Sequence, residues 1–516
     1  MAARTGFDVE VVDPWALAWK ELNDQGNADR LVAHAQGLLI YVRSWGWLAY
    51  EDGHWSRDDG ERLARLKAMD VARGIRAEME ELEARLQRRP LPDGMSEDFL
   101  EARIEALSKH ATKSGDSSRT KAMLEQAANL DVLNRREEEF DADPLALNAR
   151  NCTLRFRQGA DGWEVRDAPH DPADLLTRQC AAEWRPDVKN EMWLKHMETV
   201  LPDKDVRWFF QKLIGYCATG LNVEQIFVIL QGKGGDGKST AMNAIRIVLG
   251  SYGVSGKVQT FLDGPDTDAG GATPELVRFV GDTRLISIQE PKRGKAMAEE
   301  RVKQFTGGSP VPYRPLYGAE SEFEPRGKVV MEANKRPRIS GDDDGIWRRI
   351  IIMLWRHQFK GGAIVKGMHE RILKDDPGGA SGVLNWIIAG VIGYLNDGLE
   401  QPPEVVDAIE EYRRSANPFS EWAHAKLDMS DPLARELSSD LYKSYKEWCE
   451  AEGLSDGEVM NSTRFGRALG DLQIIMCGKD SKGLKLRRGA RLRRTGDLPA
   501  GAAEPASGAD DDGEPL

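Results

Sequence analysis

Gln231-Gly-Lys-Gly-Gly-Asp-Gly-Lys-Ser-Thr240 decides the reading of this chain. Within it, Gly232, Gly237, Lys238 and Ser239 follow G-x-x-x-x-G-K-S, the spacing of a loop that cradles phosphates. Glycines let successive backbone N–H groups turn towards the phosphates, and the following helix points its positive end at them. Lys238 is placed to reach the β and γ oxygens, and Ser239 offers a hydroxyl to Mg²⁺. The expected nucleotide contacts are Gly232, Lys233, Gly234, Gly235, Asp236, Gly237, Lys238, Ser239 and Thr240, and the expected cofactors are ATP and Mg²⁺.

The flanks supply the context the motif requires. Ile226 to Leu230 is a continuous apolar run, which reads as a buried parallel strand. Ser239 to Leu249 contains no proline and places Ala241, Ile245 and Val248 at helical spacing, and Gly250 then stops it. Strand, loop and helix follow in the required order.

Further along, Arg284 to Glu290 is a second buried strand ending in an acid. Strand ends of this kind lie over the ligand, so Glu290 is the expected Mg²⁺ ligand and water-orienting carboxylate. Gln289 precedes it, which leaves one carboxylate rather than two at that strand end. Lys328 to Asn334 is a third strand, with Asn334 suited to sensing the γ-phosphate. Arg348 and Arg349 stand just before the apolar strand Ile350 to Leu354, where one of them can act as an arginine finger on a neighbouring subunit. Between the second and third strands, Lys303 to Phe323 reads as a helix end, a glycine stop and an extended hairpin. Lys303 is a further candidate nucleotide contact. The hairpin tip, with Arg314, Leu316 and Tyr317, mixes basic and aromatic side chains that suit single strands.

The chain has 516 residues and a net charge of −13, so the average composition does not advertise a nucleic-acid binder. The charge is uneven, because Lys479 to Arg494 is densely basic and Asp497 to Leu516 is acidic and rich in Gly, Ala and Pro. Val383 to Leu395 is the longest apolar run and falls well short of the ~20 residues that cross a bilayer. It reads as a buried helix. The N-terminus lacks the apolar core of a secretion signal, which places the protein in the cytoplasm with no membrane partner. Five dispersed cysteines without a C-x-x-C pair argue against a zinc ribbon or a disulfide framework.

Ahead of the core, Arg43 to Asp58 carries Trp45, Trp47, Tyr50 and Trp55 around Asp52-Gly53, a hairpin turn. Glu61 to Arg88 and Ser96 to Leu133 read as helices, as does Trp193 to Gly220. Asp141 and Asp143 have the spacing of a two-metal pair for nucleotidyl transfer, yet acids before a proline are more commonly turn or cap residues. After the core, Ser438 to Glu452 is a helix whose Tyr442, Tyr445 and Trp448 form one apolar face. Ser462 to Leu472 is a second helix, capped by Ser462. A basic wing then carries Lys485, Arg487, Arg488 and Arg491 as candidate DNA contacts.

These motifs, in this order, resemble the superfamily-3 DNA helicases, and most closely the phage and plasmid primase-helicase family that includes the poxvirus type. The likeness is carried by Gly232 to Thr240, Glu290, Lys303 with Thr306-Gly307-Gly308, Arg314, Asn334 and Trp347-Arg348-Arg349. It extends to the Trp-rich hairpin, to Phe140–Asn151 and to Leu441–Trp448 with Arg464-Phe-Gly-Arg467. The resemblance implies an α/β fold, an AAA+-type core at 191–365, after an α+β N-terminal region at 1–190. A helical lid or linker at 366–416, a winged helix at 417–495 and a disordered tail at 496–516 complete it.

The implied activity is that of an ATP-dependent replicative helicase of a phage, plasmid or integrated element. It would move 3′→5′ as a homo-hexameric ring on single-stranded and forked DNA, with a separate primase or origin-binding partner. The family's primases carry a polymerase-like or zinc-bearing domain ahead of this region, and fewer than 200 residues precede the core here. Primer synthesis through Asp141 and Asp143 is therefore the alternative. The loop also satisfies the pattern of dimeric partition ATPases, in which Lys233 crosses to a partner; the late position of the loop disfavours them. An origin-binding adaptor without turnover is a further competitor.

Overall fold

Four largely apolar runs and the short segment Gly253–Gly256 become one parallel sheet in the computed structural model of this chain. It describes residues 12–88, 91, 94–262, 273–289, 296–316, 319–339, 344–361, 364–415, 418–452, 454 and 459–493. The strands are β1 (Phe227–Gly232), β2 (Gly253–Gly256), β3 (Leu285–Ile288), β4 (Lys328–Ala333) and β5 (Ile350–Trp355), in the order β5-β1-β4-β3-β2. Every neighbour is parallel, and β1 is flanked on both sides, with Leu230 opposite Glu332 of β4 and Met353 of β5. All residues of β3 and β4 are buried, including Lys328 and Glu332 of β4, so neither strand shows the alternation of a half-exposed one. The strand order reverses beside β1, so ligands of such a sheet gather at its carboxyl edge.

Helices cover this sheet. α1 (Lys204–Ala218) precedes β1, α2 (Lys238–Leu249) follows it, and α3 (Gly379–Asp397) packs against α1. Gly215 and Gly390 make that last contact possible: a Cβ on Gly215 would lie 2.1 Å from the Gly390 carbonyl carbon. The long apolar run at Val383 to Leu395 is thus a buried core helix, as its composition indicates. Among the described residues, no single helix is long and apolar enough to cross a membrane.

A staple joins the two ends of this unit. Asn190 caps the helix Glu191–Val200 by accepting the Trp193 N–H at 2.7 Å. Its amide donates to the carbonyls of Ile372 (2.7 Å) and Gly379 (2.9 Å). The helix expected over Trp193 to Gly220 is two helices, separated at Leu201-Pro202-Asp203 because Asp203 starts a new cap for α1. Likewise Ser96 to Leu133 divides into Glu97–Ser114 and Ser117–Ala127 at Gly115-Asp116. The Trp-rich hairpin forms as read: Glu51 pairs with His54 across Asp52 and Gly53, both at positive φ (50° and 82°).

The chain divides into two compact units, Met1–Pro337 with Gly345–Val406, and Arg338–Asp344 with Asp407–Leu516. Within the second, the helix Pro418–Lys426 precedes the strand Arg435–Leu437, α4 (Ser438–Ala451) and α5 (Ser462–Asp471). The strands Ile475–Lys479 and Lys485–Arg488 follow. The three strands form an antiparallel sheet with Lys485–Arg488 in the centre. Tyr445 is fully buried in this unit's core, with Tyr442 and Trp448 packed against it, so the aromatic face of α4 is core as expected. α5 is capped by Asn461, whose side chain accepts from the N–H groups of Thr463 and Arg464, and not by Ser462. Glu290, Tyr317, Arg494 and the tail 496–516 lie outside the described residues.

Candidate nucleotide-binding site

The loop between β1 and α2 is shaped by glycines at Gly234, Gly235 and Gly237, with φ of 79°, 64° and 85°, where L side chains are strained. It is held from beneath. The Phe359 N–H donates to the Gly235 carbonyl at 2.8 Å, and His196 Nε2 lies 3.2 Å from the Gly237 carbonyl. A carbonyl only accepts, so that nitrogen carries the hydrogen. The His196 ring stacks on Phe359, and burial lowers its pKa, which favours the neutral ring. Neither His196 nor Phe359 follows from any motif. They come from helix Glu191–Val200 and the segment after β5, elements that only the fold brings under the loop.

Lys238 is 4% exposed, and its ammonium is shared. It donates to Asp236 Oδ2 at 2.7 Å and to Asn334 Oδ1 at 3.0 Å. Ser239 Oγ donates to the carboxylate of Glu332. A cavity of about 310 Å³ opens here, lined by Gly234 to Thr240 on one side and by Gln289, Glu332 and Asn334 on the other. Backbone N–H groups, an ammonium, a hydroxyl and carboxylate oxygens thus converge on one space. Such a set can hold a phosphate chain together with a hard cation.

The strand end bearing Asn334 therefore meets the loop as expected, and Gln289 lines the same cavity. Glu332 is the residue the motifs missed. It is 3% exposed in a strand otherwise read as apolar, and burial raises its carboxyl pKa while Ser239 and Lys238 pull it down. Its signal was available: side chains two apart on a strand share a face, so Glu332 points where Asn334 points. Gly232 lies at the back of the loop, where a Cβ would meet Asp236 Oδ2 at 1.7 Å. Lys233 is exposed and does not line the cavity.

Other candidates are placed elsewhere. Lys303 pairs with Glu300 at 3.1 Å and does not line the cavity. Of the two arginines before β5, Arg349 is buried: Nε donates to Thr306 Oγ1 at 3.1 Å and Nη1 to the Gly345 carbonyl at 2.5 Å. Arg348 is exposed. Both residues sit in the turn between the helix Asp344–Trp347 and β5, and of the two only Arg349 is buried. Arg349 is therefore engaged within its own chain, and Arg348 is the exposed one of the two.

The expected hairpin forms from Val311–Tyr313 and Ser321–Phe323, with Arg314 and Leu316 exposed at its tip. The backbone of Arg314 is tied to Thr273 by a pair of hydrogen bonds at 2.9 Å. In the second unit, Lys485 and Arg488 are exposed. Arg487 turns inward instead, donating to Ser438 Oγ (3.1 Å) and the Ile474 carbonyl (2.9 Å), and Arg491 pairs with Asp428 at 2.9 Å. α5 presents Arg464 and Arg467 to solvent.

Asp141 and Asp143 do not converge on a shared metal position. Asp141 is buried and accepts from the Thr177 N–H (2.8 Å) and hydroxyl (2.5 Å). Asp143 caps the turn at Leu145 (2.9 Å) and pairs with Arg157 (2.7 Å). Asp143 has the turn-capping role that acids before a proline usually take, whereas Asp141 serves a buried contact to the distant Thr177.

Comparison with known proteins finds relatives of this chain. Residues 28–202 match the family model described as "D5 N terminal like". A "Putative helicase" of Acanthamoeba polyphaga mimivirus is 28% identical over 321 residues, which cover 58% of this chain and 33% of that protein. A protein of Frog virus 3 (isolate Goorha) with the same kind of name is 24% identical over 271 residues, 50% of this chain and 28% of that one. A "Putative primase" of African swine fever virus (isolate Warthog/Namibia/Wart80/1980) is 21% identical over 249 residues, 48% of this chain and 26% of that one. The chain spans a third or less of the length of these relatives.

Proposed function

From its kinship with the D5-like primase-helicase family, carried by residues 28–202 and by the viral relatives, we propose that this chain is an ATP-driven DNA helicase. It is read as a superfamily-3 motor of AAA+ type, working in the cytoplasm of a cell that hosts a virus, phage or plasmid. The observation that carries the reading is Lys238, which sits between Asp236 and Asn334 where β1 and β4 end.

Each residue has a task in this proposal. The loop N–H groups and Lys238 bind the phosphates of ATP, and Ser239 holds Mg²⁺, which neutralises phosphate charge when bound. Glu290 orients the attacking water, and Asn334 reports the γ-phosphate to β4. Arg348 reaches the neighbouring subunit's site in a head-to-tail ring, commonly of six. Arg314, Leu316 and Tyr317 line the channel and grip one strand, the guanidinium on phosphate and the ring on bases. The second unit is read as a winged helix, from its order of helix, strand, two helices and a two-stranded wing. Its forked-DNA contacts are then Arg464 and Arg467 of α5 with Lys485 and Arg488 of the wing.

The test is strand displacement on forked DNA by the purified chain, with Lys238→Ala as control. Displacement that requires ATP and vanishes in the control is the expected result. Turnover without displacement by an assembled ring would sink the helicase reading.

A further inference from the structure

We propose that Glu332 is a ligand, alongside Ser239, for the divalent cation that enters this site with the nucleotide. The proposal rests on the nucleotide-binding reading above and adds a residue to it.

Three observations converge. First, Gln289 and Glu332 line the same cavity, so among the described residues β4 brings a carboxylate to it where the residue after β3 brings an amide. Second, Glu332 stands in a strand whose every residue is buried, between Met331 and Ala333. A carboxylate in such a place costs several kcal/mol of desolvation unless something charged or hydrogen-bonding compensates it. Third, the compensation is only half made. One oxygen of Glu332 accepts from Ser239 Oγ, and the other, Oε1, is buried with no hydrogen-bond partner among the described residues.

Hydroxyl and carboxylate oxygens are hard donors, the kind Mg²⁺ selects. A cation between them would replace the hydrogen bond, leave the Ser239 lone pair and the Glu332 carboxylate as ligands, and offset the charge now left to Lys238 alone. A purely structural role would need only the bond to Ser239. It would not explain why the remaining oxygen of a cavity-lining carboxylate is buried without a partner among the described residues.

The experiment measures ATP affinity of the full chain by titration calorimetry, with Mg²⁺ and with EDTA, for wild type and Glu332→Gln. Mn²⁺ binding in the presence of ADP is followed by electron paramagnetic resonance. Expected for Glu332→Gln is unchanged ATP affinity in EDTA, loss of most of the Mg²⁺-dependent gain, and Mn²⁺ affinity weakened about tenfold, equivalent to about 1.4 kcal/mol. Glu332→Asp, which keeps the charge on a shorter stem, should fall between them and covers the case in which the glutamine variant does not fold. A metal-dependent gain that both variants leave intact would overturn the proposal while leaving the helicase reading standing. A wild-type chain that binds no ATP would overturn both.

Discussion

Asp236 holds Lys238 from within the same loop: its Oδ2 lies 2.7 Å from the ammonium and its Oδ1 accepts the Lys238 N–H at 3.3 Å. The carboxylate therefore takes up two groups that a phosphate chain would use, and any incoming anion must draw the ammonium away from it.

Replacing Asp236 by Asn keeps the shape and removes the charge. ATP affinity should rise about five- to thirtyfold, since a charge-assisted bond to a buried ammonium is worth on the order of 1–2 kcal/mol. Nucleotide titration reads the change directly. An unchanged or weaker affinity would show that the carboxylate serves the nucleotide rather than competing with it.

Arg348 and Arg349 should separate cleanly. Arg349→Ala removes a buried guanidinium bonded to Thr306 and Gly345 and should cost on the order of 2–3 kcal/mol of stability, visible as a lower melting temperature. Arg348→Ala should leave melting unchanged and reduce turnover about 10³-fold or more, as for the loss of an arginine finger. Mixing Arg348→Ala subunits with Lys238→Ala subunits should restore part of the turnover, because each supplies what its neighbour lacks.

Asp141 titrates within the fold. Burial, then the nearby charge of Asp282, raises its carboxyl to about 6, against bonds from Thr177 and the charge of Arg284 that pull it down. Between about pH 4 and 6 the fold holds a proton that the unfolded chain has lost. This contribution to stability is complete below about 4 and is lost as pH rises through 6. Melting temperature should decline across that window in wild type relative to Asp141→Asn, which cannot titrate. Parallel curves would assign the pH response to other groups.

Contacts to the DNA backbone should appear as salt dependence. Arg314→Ala is expected to spare basal ATP turnover and reduce its stimulation by single-stranded DNA, with the slope of log affinity against log salt shallower by about 0.7. Arg464→Ala with Arg467→Ala should flatten the slope on forked DNA by about 0.9 per lost contact to duplex. Arg487→Ala should act through stability, since that side chain braces Ser438 and Ile474.

Much of this site was legible because local chemistry determined it. An apolar run before a glycine loop can only be a buried strand delivering that loop, and Lys238, Ser239 and Asn334 meet as their motifs require. What was illegible depended on direction or on distance along the chain. Arg348 and Arg349 look alike in sequence and differ in burial, since only Arg349 is bonded inside the fold, to Thr306 and Gly345. Glu332 belongs to no motif, and only its burial beside Ser239 in the fold marks it out. His196 and Phe359 lie far from the loop in sequence, and no periodicity links them to it.

The prop beneath the loop fixes where this protein can be cut. A piece excised to begin at α1 would contain every motif residue of the loop and sheet, yet lose His196, the ring stack with Phe359 and the Asn190 staple to Ile372 and Gly379. Such a truncation keeps the whole recognisable ATPase alphabet and forfeits the floor on which it stands, so a minimal active fragment has to start upstream of Asn190.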